Sequence, residues 1–165
     1  MFRRRHKSAR SPRTLIGLYL RASALREAEE TRGSWRDRLV RTGWRDADSV
    51  ASNAFGITVR YSHTLPNDRP SVSQVVAGMR AFFGADGVDR IPQAEGELLM
   101  RAALGEDVAA DTIPAGVAFV VHSLIFVGLA YDFQFTEQEV DGVLAQAEDM
   151  ALVAGSRPTL ASEVT

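Results

Sequence analysis

The chain has 165 residues, 45% hydrophobic and 24% charged, proportions that suit one globular domain with a hydrophobic core of its own. It contains no cysteine, which excludes disulfides, thiol catalysis and thiolate metal sites and agrees with a cytoplasmic protein. The net charge of −2 hides a division: residues 1–80 hold 16 Lys+Arg against 7 Asp+Glu, a surplus of +9, and residues 81–165 hold 3 against 14, or −11.

The first thirteen residues, MFRRRHKSARSPR, carry six basic side chains and no acid. Such an arm stays solvated and flexible unless it meets a polyanion or an acidic protein surface. The acidic second half of the same chain, or of another copy, is one such surface. The apolar run Leu15–Leu20 is too short for a secretory leader and is interrupted by Arg21.

Thr14 is placed to cap a first helix, with Leu15, Leu18, Tyr19, Ala22 and Leu25 on one face and Gly33 as its stop. Ser34 and Asp37 suggest a second, shorter helix carrying Trp35, Leu39 and Val40 to Gly43, and Asp46 opens a third. Two tryptophans lie among arginines here, and the spacing predicts Trp35 and Trp44 as anchors while Arg36, Arg38 and Arg45 face water. In FGITVRYSH the residues Phe55, Ile57, Val59 and Tyr61 alternate, which predicts one short strand near 55–61 or an extended connection. TLPNDRPS is a loop.

Ser71 with Gln74 forms a capping box ahead of the stripe Val72, Val75, Val76, Met79, Phe82 and Phe83, which ends at Gly84. Pro92 opens a helix that ends near Gly105. A helix starting at Asp111 or Thr112 takes in the uncharged run of residues 113–131, long enough to span a bilayer. Its flanks are acidic and carry no base, the reverse of what a spanning helix shows on its cytoplasmic side, so a buried central helix is expected. Thr136 and Glu139 cap a last helix that stops at Gly155. The expected organisation is an all-α bundle of five to seven helices over residues 14–154, between a flexible basic arm (1–13) and a loose tail (155–165).

The segment FFGADGVDRIPQAEGE has the outline of a calcium loop, with Asp86 and Glu95 at ligand positions and the others unsuited. A hard cation needs six to eight oxygens, so a helix–turn–helix corner is the simpler account. GLAYDFQFTEQE repeats the outline, with Asp132 and Glu139. Together the two segments resemble the paired helix–acidic-turn–helix units of TerB-like tellurite-resistance domains, over residues 72–154. That resemblance implies an all-helical fold and divalent-metal binding, with Asp86, Asp89, Glu95, Asp132 and Glu139 as the matching acids; the residues themselves lead to no expected cofactor. Tyr131 stands where an acid is expected before Asp132.

The histidines are His6 in the arm, His63 at a loop edge within reach of Asp68, and His122 in the apolar helix, where a core histidine is expected. No phosphate-binding glycine loop, zinc-protease helix or dinucleotide fingerprint occurs. The expectation is a non-enzymatic interaction or adaptor protein. Its basic half, with Arg3, Arg4, Arg5, Lys7, Arg10, Arg13, Arg36 and Arg38 as candidate contacts, would bind an acidic partner or another copy. Nucleic acid is the alternative partner through the same residues, and a membrane is not expected.

Overall fold

Where apolar residues recur at helical spacing the chain is helical throughout the computed structural model, which describes residues 9–64 and 70–164. Eight α-helices occur among these residues: α1 (Leu15–Ala24), α2 (Glu29–Arg41), α3 (Ala47–Ser62), α4 (Val72–Phe82), α5 (Gly84–Arg90), α6 (Gln93–Ala103), α7 (Ala115–Asp132) and α8 (Glu137–Val153). Two single 3₁₀ turns, Ala110–Thr112 and Ala161–Glu163, complete the order. The all-α expectation holds, with one helix more than the upper estimate.

The strand expected near 55–61 is not formed; those residues lie inside α3. Their alternation has a different cause. The helix α3 is buried on more than one side, between α7 and α8. Phe55 and Val59 join one core while Ile57 packs against the other, so alternate residues are apolar without being extended. Val50, Ala51, Ala54, Phe55, Thr58 and Val59 are all buried at helical spacing. Thr58 returns its hydroxyl proton to the Ala54 carbonyl at 2.9 Å, the usual solution for a buried threonine in a helix. Burial overrides the weak helix propensity of the β-branched run Ile57–Thr58–Val59.

Two hydrophobic clusters result. One joins Leu15, Ile16 and Leu20 of α1, Val50, Ala51 and Ala54 of α3, Phe126 and Ala130 of α7, and Val140, Leu144 and Ala147 of α8. The other joins Phe55 and Val59 of α3 to Val76 and Met79 of α4, Ile91, Leu99 and Met100 around α6, and Val121, Ile125 and Leu129 of α7. The helices α3 and α7 serve both. Trp35 and Trp44 pack against the first cluster, Trp44 edge-on to Tyr19 (6.2 Å between ring centroids) and to Phe119 (5.6 Å).

Helix ends explain the other differences. Gly33 was expected to stop the first helix, but it lies within α2; α1 ends nine residues earlier, at Ala24. There Arg26 takes the left-handed conformation (φ 53°), its N–H bonds to the Ser23 carbonyl and that of Glu27 to the Ala22 carbonyl. This is the double closure that normally uses glycine. Gln134 (φ 52°) closes α7 in the same way, with Gln134 and Phe135 donating to Tyr131 and Ala130. Gly43, Gly105 and Gly155 close α2, α6 and α8 at the positions their sequence suggested. The helix expected to start at Asp111 or Thr112 starts instead at Ala115, after the single 3₁₀ turn Ala110–Thr112 and with Pro114 as the residue before it.

The tail expected to be loose is tied down over 157–164. Pro158 and Thr159 are buried, Leu160 forms an antiparallel bridge with Thr14, and the Leu15 and Ala161 N–H groups bond to the Thr159 and Arg13 carbonyls at 2.9 and 2.8 Å. The Arg157 N–H donates to Asp46 Oδ2 at 2.6 Å.

The left-handed closures make a paired prediction. Gly105→Ala, at φ 88° with open space around it, should cost about 1 kcal/mol, whereas Gln134→Gly should be neutral or stabilise by up to about 1 kcal/mol. Urea unfolding of the two variants beside the wild type measures both.

Candidate interaction surfaces

The strongest polar cluster is one carboxylate. Val140, Leu144, Ala147 and Ala151 put one side of α8 into the core, yet Asp141 and Glu148 stand in the same stripe and are only 6% and 0% exposed. A buried carboxylate requires donors, and the chain before α1 supplies them. Glu148 Oε1 accepts from the N–H groups of Arg13 (2.8 Å) and Thr14 (2.7 Å) and from the Thr14 hydroxyl (2.8 Å). Its Oε2 accepts from Arg10 at 3.3 Å. The Thr14 hydroxyl, its proton committed to Glu148, turns a lone pair to the Gly17 N–H (2.9 Å) and so caps α1. Negative charge at this helix N-terminus is also favoured by the backbone dipoles. Gly17 permits the approach: a Cβ there would lie 2.6 Å from Glu148 Oε1 and 2.8 Å from Pro12 Cβ.

Around this anchor the basic and acidic halves of the chain meet. Arg10 reaches Asp149 at 2.8 Å and the Ala145 carbonyl at 3.3 Å, Arg13 lies 3.5 Å from Asp149, and the Ser11 hydroxyl donates to Asp141 at 3.3 Å. About two turns nearer the start of α8, Arg21 pairs with Asp141 at 2.7 Å and with Glu137, and it also pairs with Glu27 at 2.7 Å. Burial opposes the Arg21 charge, but the Asp141 hydrogen bond and the three carboxylates outweigh it and hold the guanidinium above its ordinary value. Of the arm residues expected to make contacts, Arg10 and Arg13 therefore lie on the chain's own α8. Arg3, Arg4, Arg5 and Lys7 lie outside the described residues.

The second surface is α2. Of its thirteen residues only Leu39 is fully buried, against the three or four per two turns of an ordinary bundle helix. Among the larger interfaces it has one helix neighbour, α1. Arg38 lies over the Trp35 ring (4.9 Å) and donates to the carbonyls of Ala161 (3.0 Å) and Val164, which ties the C-terminal segment to α2. Arg36 is exposed and 3.6 Å from Glu29. Val40, 59% exposed, sits in a shallow groove with Glu30, Gly33, Ser34, Asp37 and Arg41.

The acids of the two helix–turn–helix corners are not brought together. Asp86 and Asp89 ride on exposed positions of α5, Glu95 lies in the first turn of α6, and Asp132 is exposed at the end of α7. Glu139 is committed to its capping box, accepting from Thr136 N–H and hydroxyl at 2.8 and 2.9 Å. Among the described residues no three His, Cys, Asp or Glu side chains gather at metal-binding distance. His122 packs on the Phe55 ring at 4.7 Å, and burial lowers its pKa from 6.5 to about 4 against the attraction of Asp48. His63 Nδ1 lies 3.0 Å from the Ser62 hydroxyl and 3.1 Å from the Val59 carbonyl, and Asp68 is outside the described residues.

No family model, curated protein or solved structure matches this chain. Glu148, Asp141 and Arg21 went unmarked in the sequence reading. The signal for the two acids was present as carboxylates seven residues apart inside an otherwise apolar helical stripe.

Glu148→Gln keeps the volume but turns an amide against backbone donors, and should lower unfolding free energy by about 2–4 kcal/mol. Gly17→Ala should destabilise by displacing the same carboxylate, and Thr14→Ser, which keeps the hydroxyl, by much less. Chemical denaturation of the three variants checks the order.

The His122 shift sets a pH dependence. The folded state holds fewer protons at this ring than the unfolded state, so its contribution is complete above pH 6.5 and is lost as pH falls toward 4. The loss amounts to about 3 kcal/mol at most. Unfolding free energies of wild type and His122→Phe, measured from pH 7 to pH 4, should diverge over that window, with the wild type falling more steeply.

Proposed function

We propose that this protein is a non-enzymatic helical interaction module whose arginine-rich N-terminal half binds an acidic protein surface or another copy of the chain. The observation that carries this reading is α2. A helix with one fully buried side chain contributes little core, yet it presents Arg36 and Arg41 beside the exposed Val40. An apolar contact flanked by arginines is the composition of a binding patch. The arm adds chemical support, because its described arginines are already matched to carboxylates. Guanidinium groups bind phosphate as well as carboxylate, so the salt dependence of binding to duplex DNA is what separates the two partners. The divalent-metal reading taken from the TerB-like resemblance gains no support from the dispersed acids of the two corners.

The test is sedimentation velocity of the full chain across a range of concentrations, alone and with polyglutamate as an acidic probe. Self-association or polyglutamate binding is expected, weakened about tenfold or more by Arg36→Glu with Arg41→Glu and also by Val40→Asp. Melting temperatures should stay close to wild type because these side chains are exposed. A chain that stays monomeric and ignores polyglutamate overturns the reading. Duplex DNA binding with a steep salt dependence would replace it with nucleic-acid association.

A further inference from the structure

The acidic side of α8 is a different surface from α2 and carries its own inference. The chain's residues 9–13 lie across it without forming helix, and Ser11, preceding Pro12, is restricted to extended backbone. The contacts are those by which a protein reads a peptide rather than those of a core. Glu148 takes the backbone N–H of Arg13, Asp141 takes the Ser11 hydroxyl, and Asp149 with the Ala145 carbonyl takes the Arg10 guanidinium. Ala9 packs over Gly142, where a Cβ would lie in ordinary contact with Ala9 Cβ at 3.8 Å. Five carboxylates and no basic residue occupy α8, so an occupant must bring positive charge.

The grip is uneven along the segment. At Thr14 it is buried and continuous with the α1 cap. For residues 9–11, among the described residues, the hydrogen bonds are only those of the Arg10 and Ser11 side chains. Asp149 is 63% exposed and Arg10 36%. Exposed ion pairs of this kind hold weakly and yield to salt or to a competitor.

We propose that the α8 surface bounded by Asp141, Gly142, Ala145, Glu148 and Asp149 is a groove for an extended, arginine-bearing segment of a partner protein, and that residues 9–11 are its displaceable resident. The resident segment defines the chemistry of the occupant: an arginine for Asp149 and Ala145, then a small hydroxyl residue for Asp141. It also lowers the groove's apparent affinity by the fraction of time it is bound.

The experiment uses the full chain and a fluorescein-labelled peptide with the sequence of Ala9–Thr14, read by fluorescence anisotropy. In the variant Arg10→Ala with Ser11→Ala the resident is loosened, and the peptide should bind about tenfold tighter than to wild type. Adding Asp149→Arg should remove that binding, and rising salt should weaken it. Thermal melts of each variant separate loss of the groove from loss of the fold. Peptide binding that is no tighter in the loosened variant, or that is indifferent to Asp149→Arg, overturns the proposal. So would a salt-sensitive dimer of the wild-type chain that is lost with Arg10→Ala and Ser11→Ala, since the groove would then belong to a second copy's arm.

Discussion

A carboxylate sealed from solvent fixes how this chain begins and ends. Glu148 cannot lie in the core of α8 without donors, and the donors it takes are backbone groups of Arg13 and Thr14. Those bonds set the direction in which the chain enters α1. They also orient the Thr14 hydroxyl, which closes the first turn through Gly17. With Thr14 so placed, its backbone can pair with the C-terminal segment at Leu160, and the Leu15 N–H finds the Thr159 carbonyl. Two chain ends more than 140 residues apart thus depend on one side chain of α8. Removing it leaves unpaired donors at a helix start, and the C-terminal segment is then held by Arg38, Arg45 and Asp46 rather than by the chain before α1.

The division of charge along the sequence acquires a physical meaning from the same region. A basic front and an acidic back suggest binding to something outside the molecule, yet much of the match is made internally. Arg10, Arg13 and Arg21 meet Glu137, Asp141, Glu148 and Asp149 of α8, and Arg45 meets Glu163. The pairs differ in worth. Arg21 is shielded and bonded to three carboxylates, Asp141, Glu27 and Glu137, whereas Arg13 with Asp149 is exposed and loosely spaced. The backbone grip has a direction: the Arg13 and Thr14 N–H groups bond to the buried Glu148, whereas residues 9–11 are held through the Arg10 and Ser11 side chains. That gradient makes the outer arm, rather than the anchored end, the natural place for exchange with a partner.

Much of the fold was legible because its signals were local. The capping boxes at Ser71 and Thr136, the Thr14 cap, and the glycine closures at 43, 105 and 155 all appear where their residue types suggested. What was hidden was tertiary. Arg26 and Gln134 adopt a backbone that glycine normally fills, and nothing in their side chains announces it. Arg26 has a partial compensation in its stacking over Tyr131 at 4.2 Å. The alternation in α3 was read with the wrong period because that helix faces two cores at once. The site was less legible still. An arginine-rich arm is visible in any composition count, but its docking on α8 depends on Asp141 and Glu148 sharing a buried face, which only the packed structure makes plain.

The same two-core arrangement accounts for α7. By length and composition this helix could cross a membrane, and its uncharged surface all round is what a one-sided bundle helix would not need. Here its sides have separate duties. Phe126 and Ala130 enter the core shared with α1 and α8, while Val121, Ile125 and Leu129 enter the core shared with α4 and α6. Gly128 lets the α4 side approach, since a Cβ there would strike Met79. A charged residue on either side would face one core or the other without a partner, at a cost that neither cluster could offset. His122 is tolerated because its ring can remain neutral against Phe55. The hydropathy of α7 over residues 121–130 thus follows from being the element that two cores share, with six of its eighteen residues buried between them.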